Sequence, residues 1–112
     1  MRPRIIKVSE LMKQQVSKLI LSDINLPLGV LLTVVGSKVS VDLRYADIII
    51  SVLPTEKIEE VLEILDEGIY DMQQKINKKL SMRPVPKIRF RVDTSGEYVQ
   101  KIETLIRESK EK

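Results

Sequence analysis

Histidine and cysteine are both absent from this chain, so its chemistry falls to ammonium, guanidinium, carboxylate, hydroxyl and amide groups. The absence removes the usual zinc ligands, the usual base near neutral pH and the base partner of a serine or cysteine nucleophile. Most hydrolase mechanisms are thereby disfavoured, and the expectation is a protein that is not an enzyme and uses no cofactor, resident metal or small-molecule substrate. What stands out instead is charge. From Met72 to Arg91 the chain carries Lys75, Lys78, Lys79, Arg83, Lys87, Arg89 and Arg91 with no acidic residue among them. From Pro54 to Asp71 it carries Glu56, Glu59, Glu60, Glu63, Asp66, Glu67 and Asp71 against a single Lys57. A net charge of +3 conceals this dipole along the chain. Such asymmetry implies one surface meant for a polyanion, with nucleic acid the leading candidate, and another meant to avoid it.

Two blocks of charge need a scaffold to place them. At 112 residues the chain is long enough for one domain with a packed core. Apolar residues make up 43% of it, but its aromatic residues are Tyr45, Tyr70, Phe90 and Tyr98 alone. The core must therefore be aliphatic, and a rich aromatic platform for base stacking is not expected. No segment approaches the roughly 20 apolar residues that span a bilayer. The basic start, Met1 to Lys7, runs into Val8-Ser9-Glu10 rather than into an apolar stretch of signal-peptide length. A soluble cytoplasmic protein with no membrane partner is expected.

Apolar residues at Val8, Leu11, Met12, Val16, Leu19 and Ile20 predict a helix over 8–21, with the residues before it forming a basic arm over 1–7. Asn25, Pro27 and Gly29 break that pattern. The β-branched stretches 30–41 and 45–53 then predict an antiparallel hairpin turning around Asp42. Thr55 is placed to cap a helix whose stripe is Ile58, Val61, Leu62, Leu65 and Ile69. The acids lie off that stripe. Glu56, Glu59, Glu60 and Glu63 repeat at helical spacing, yet solvated glutamates opposite a core face explain them better than a metal or acid/base site does.

Gly68 interrupts the stripe, and a glycine inside a helix costs about 1 kcal/mol relative to alanine, so a kink or break is predicted there. A further helix follows through Met72, Ile76 and Leu80. Pro84 and Pro86 forbid helix beyond Arg83. The next residues alternate, with Ile88, Phe90 and Val92 on one side and Lys87, Arg89 and Arg91 on the other. This is a strand with a core face and a basic face. Thr94 and Glu97 have capping-box spacing before a closing helix on Val99, Ile102 and Ile106, with 108–112 a frayed tail. The reading is an α+β domain over 1–107, in the order α-β-β-α-(kink)-α-β-α, with helices on one face of a three-stranded sheet.

Two segments make the chain familiar. Val39-Ser40-Val41-Asp42-Leu43-Arg44-Tyr45-Ala46 and the approach to the last strand, Arg83, Val85-Pro86 and Ile88-Arg89-Phe90, both resemble motifs of the ribosome-binding factor A family. The resemblance extends to about Ile106. It implies a type II KH-like fold and a monomeric, non-catalytic factor that binds the small ribosomal subunit and its ribosomal RNA during late maturation and rRNA processing. The family's two central helices are usually joined by an Ala-x-Gly kink. Here Gly68-Ile69-Tyr70 stands in its place, with Gly68 keeping the kink and Tyr70 replacing the glycine.

On this reading Lys75, Lys78, Lys79 and Arg83, spaced along one helical face and continuing toward the strand, contact RNA phosphates. Lys87, Arg89 and Arg91 grip backbone from the strand, or serve only to keep an edge from unwanted pairing. Arg2, Arg4 and Lys7 are candidates for an additional RNA-binding arm. Asp42 and Tyr45 are given no RNA role, because a turn and a strand explain them. Two alternatives stay open: a generic KH-type protein for single-stranded RNA, and a protein-interaction domain using the apolar hairpin or the acidic helix.

Overall fold

A computed structural model describes residues 3–93. In that span the order is α1 (Pro3–Asp23), β1 (Leu31–Val39), β2 (Tyr45–Leu53), a short 3-10 turn (Thr55–Lys57), α2 (Ile58–Lys79) and β3 (Lys87–Val92). The strands lie in the order β1-β2-β3, with β1 antiparallel and β3 parallel to β2. A parallel neighbour needs a crossover, which α2 supplies. The arrangement is the α+β, type II KH-like one.

Strand pairing separates the sheet into two faces. Opposed residues share a face, so Leu32, Val34, Ser37 and Val39 of β1 lie with Val52, Ile50, Ile48 and Ala46 of β2. Ile88 joins them from β3. All four of these β2 residues and Ile88 are buried, beneath Met12 and Val16 of α1 and Leu65, Met72 and Ile76 of α2. The core is aliphatic, as the composition requires. An irregularity between Val34 and Gly36 shifts the alternation, so that Ser37 and Val39 rather than Gly36 and Lys38 share the face of Leu32 and Val34.

The turn between β1 and β2 explains the familiar motif in local terms. The Ser40 hydroxyl donates to Asp42 Oδ1 at 2.6 Å, and the same oxygen accepts the Arg44 N–H at 3.1 Å. Ser40 Oγ accepts the Tyr45 N–H at 3.1 Å, and Ser40 O accepts the Leu43 N–H at 2.9 Å. The Ser40 hydroxyl and then the Arg44 amide hold the Asp42 carboxyl below its ordinary range. Leu43 adopts a left-handed φ of 61°, a conformation costing on the order of 1 kcal/mol, while its side chain packs against the core.

The helices differ from the expectation in three places. Residues 3–7 are not an arm but the opening turns of α1. Thr55 does not cap α2; it opens the 3-10 turn, and Lys57 holds the cap position without a side-chain hydrogen bond. Most importantly, Gly68 neither breaks nor divides the helix, and α2 runs unbroken through it for 22 residues. The glycine serves packing instead. A Cβ built there would lie 2.7 Å from Ile24 Cδ1, so the missing side chain lets the end of α1 approach α2. The closing helix and the tail fall outside the described residues.

One amide fastens α2 to β3. Gln73 Nε2 donates to Pro86 O at 3.1 Å, while Gln73 Oε1 accepts the Ile88 N–H at 2.8 Å. A single side chain thereby satisfies two backbone groups flanking Lys87.

Candidate nucleic-acid interface

The cations singled out by sequence fall into two groups. Lys75, Lys78 and Lys79 lie on the last turns of α2, where Met72 and Ile76 of the same helix are buried and the lysines are turned outward. Their heptad-like spacing fixes both outcomes at once, since the apolar stripe and the basic stripe are separated around one helix. Lys87, Arg89 and Arg91 lie on the sheet face away from the helices, opposite Tyr45, Asp47 and Ile49 of β2. The two groups therefore sit on opposite sides of the sheet, not on one continuous helix-to-strand surface. Arg83 belongs to the connection between them. Its Nη1 donates to Leu80 O at 3.0 Å and Met82 O at 2.7 Å, satisfying a carbonyl beside the C-terminus of α2.

Within each group the cations differ in how freely they can meet an anion. Lys78 and Lys79 are exposed and make no ion pair among the described residues. Lys75 is held by Asp23 of α1. That contact, with a second hydrogen bond from the Ser22 hydroxyl, keeps the Asp23 carboxyl below its ordinary range. On the sheet, Arg89 is committed: its Nε lies 2.7 Å from Asp47 Oδ1, and its guanidinium carbon is 4.3 Å from the centroid of the Tyr45 ring. Arg91 lies 3.9 Å from the same carboxylate oxygen. Lys87 is exposed.

Arg4 and Lys7 are exposed on the first turns of α1, so a helix presents them; Arg2 lies outside the described residues. Gly68 and Tyr70 lie in mid-helix, with Tyr70 70% exposed on its surface. The acidic half of α2 keeps Glu59, Glu60, Glu63, Asp66 and Glu67 in solvent. No group of three or more carboxylates that could hold a metal ion occurs among the described residues. No described helix is long and apolar enough to cross a membrane.

Three residues that matter here escaped the sequence reading. Lys38 and Asp47 form a cross-strand row with Arg89, because β1 pairs Lys38 with Asp47 and β3 pairs Arg89 with it. A hairpin turning around Asp42 already implied that register, since Val39 opposite Ala46 puts Lys38 opposite Asp47. Lys18 is the third. It faces α2 beside Lys75 and Lys79 across a groove, and no local pattern announces which flank of α1 the second helix will occupy.

Known proteins are similar to this one in both sequence and arrangement. The family profile of ribosome-binding factor A matches residues 4–106. Ribosome-binding factor A of Bdellovibrio bacteriovorus is 34% identical over 106 residues, covering 94% of this chain and 79% of that protein. The Methylocella silvestris protein of the same name is 35% identical over 112 residues, covering 97% and 72%. The crystal structure of ribosome-binding factor A from Thermus thermophilus superposes with a TM-score of 0.67 at 19% identity, covering 79% of this chain and 94% of that one, a likeness of fold. With a family match that takes in nearly all of its length, this chain belongs to the ribosome-binding factor A family.

Proposed function

We propose that this protein binds the small ribosomal subunit and its ribosomal RNA during late maturation and rRNA processing, as a cytoplasmic, monomeric, non-catalytic factor. The contact runs along the C-terminal half of α2, where Lys75, Lys78 and Lys79 meet RNA phosphates and Arg83 extends the surface toward β3. The observation that carries this reading is the pair Lys78 and Lys79, exposed and without ion-pair partners among the described residues, in a member of a ribosome-binding family. Lysine heads on a rigid helix neutralise backbone phosphates without reading sequence, so the shape of the folded RNA supplies the specificity. Lys87 and Arg91 form a second, weaker contact from the sheet. Arg89 supports that face rather than touching RNA. Glutamates on the opposite half of α2 repel phosphate and orient the molecule on it.

Binding to purified small ribosomal subunits as a function of salt tests this. If about five phosphates are contacted, affinity falls on the order of a hundredfold between 50 and 200 mM salt. Changing Lys75, Lys78, Lys79 and Arg83 together to alanine should flatten that dependence. Binding that ignores both salt and the substitutions would overturn the RNA reading and favour a protein partner. Preference for loose single strands over assembled subunits would replace it with a generic RNA-binding role.

A further inference from the structure

Two grooves run beside the α2 lysines, and they differ in charge. The larger, about 520 Å³, is lined by Asp23, Ile24, Gly68, Asp71, Gln74, Lys75 and Lys78. Its two carboxylates balance its two ammonium groups. The smaller, about 250 Å³, lies between the helices and is lined by Gln15, Lys18, Leu19 and Ser22 of α1 and Lys75, Ile76 and Lys79 of α2. Among the described residues no carboxylate lines it.

We infer that this second groove is a seat for a phosphodiester group of the RNA backbone, with α1 supplying half of it through Lys18 and α2 supplying the other half through Lys79. This rests on the RNA reading given above and adds to it a second helix and a defined place. Gln15, Lys18, Leu19 and Ser22 recur at three and four residues and so share one flank of α1; Lys75, Ile76 and Lys79 do the same on α2. Two ammonium groups facing one small space repel each other unless an anion lies between them, and a bound phosphate turns that repulsion into attraction. Asp23 sharpens the choice. It engages Lys75, the one residue that lines both grooves, so among the described residues the positive charge left without an ion pair in the smaller groove is that of Lys18 and Lys79. The Gln15 amide adds a neutral donor for the remaining phosphate oxygen.

The test compares Lys18→Ala, Lys18→Arg and Lys13→Ala with wild type in binding to purified small ribosomal subunits across a salt series. Lys13 lies on α1 but does not line the groove. Each protein is also melted, so that a folding defect is recognised before binding is compared. Loss of one phosphate contact should lower the slope of log affinity against log salt by about 1 in Lys18→Ala. Lys18→Arg should restore it, and Lys13→Ala should match wild type. A Lys18→Ala slope equal to wild type, while the fourfold Lys75, Lys78, Lys79 and Arg83 variant is flattened, would overturn the shared seat and leave the α2 contact standing. A flat slope in wild type itself would overturn both. Equal losses in Lys18→Ala and Lys13→Ala would reduce the effect to overall charge and also overturn the seat.

Discussion

The basic row on β3 and the basic row on α2 both set cations at regular spacing, yet the fold treats them in opposite ways. On β3 the central cation is spent inside the molecule, with Arg89 bonded to Asp47 and stacked on Tyr45. On α2 the outer cations are left in water, with Lys78 and Lys79 unpaired among the described residues. The difference arises from what lies opposite. A strand in a sheet meets its neighbour at a fixed register, so an acid on β2 meets Arg89; the outward flank of a helix meets only what another element brings. A run of positive charge thus marks a binding surface only where the fold leaves it unanswered.

The strongest way to break this contrast is to reverse the exposed pair. Lys78→Glu with Lys79→Glu should weaken small-subunit binding by about a hundredfold at low salt, since two contacts become repulsive, while the unfolding free energy falls by only about 1 kcal/mol as acids replace the cations of the last turn of α2. Arg89→Ala should do the converse. Removing a partner of a half-buried, hydrogen-bonded charge pair lowers unfolding free energy by about 1–2 kcal/mol in a denaturant titration, with the salt slope of binding unchanged. A slope lowered by Arg89→Ala would show that the arginine leaves Asp47 for RNA. Gly68→Ala is expected within about 1 kcal/mol of wild type, because the helical gain is of that size and the opposing contact is the mobile end of Ile24. A larger loss would mean that the end of α1 cannot yield.

The smallest effect is one of pH. Asp23 and Asp42 both have carboxyls held below their ordinary range by hydrogen bonds in the folded state. Their contribution to stability is complete above the unfolded value, about 3.9, and is lost as pH falls through the lower folded values. Asp42→Asn should therefore lower stability slightly at pH 7, where the carboxylate contributes in full, and flatten the fall in stability below about pH 4. Because both groups are exposed, a melting series in dilute salt is the sensitive measurement.

How much of this could be read in advance depends on how local each cause is. The alternation of Lys87 to Val92 placed β3, and the turn chemistry around Asp42 placed the hairpin, because both act over a few residues. The break expected at Gly68 is absent for the complementary reason. The cause of this glycine is Ile24, 44 positions away in the chain, and a glycine admitted for close packing looks locally the same as one that ends a helix. The basic arm failed similarly, since the spacing of Val8, Met12 and Val16 cannot say how far a helix continues before its first buried residue. The candidate cations were found by composition, and their division between two sides of the sheet follows from the alternation along β3 with both helices on its apolar face. Lys18 needed the packing of one helix on another.

Gln73 has a consequence for the molecule's company. Backbone groups along a strand alternate in direction, and with the Lys87 N–H bonded to the carbonyl of Arg44, the residue before β2, the Pro86 carbonyl and the Ile88 N–H point outward. Those are the groups a stray strand would use to extend the sheet, and the Gln73 amide already occupies both. The start of β3 is closed to edge-to-edge association by a side chain that imitates a peptide.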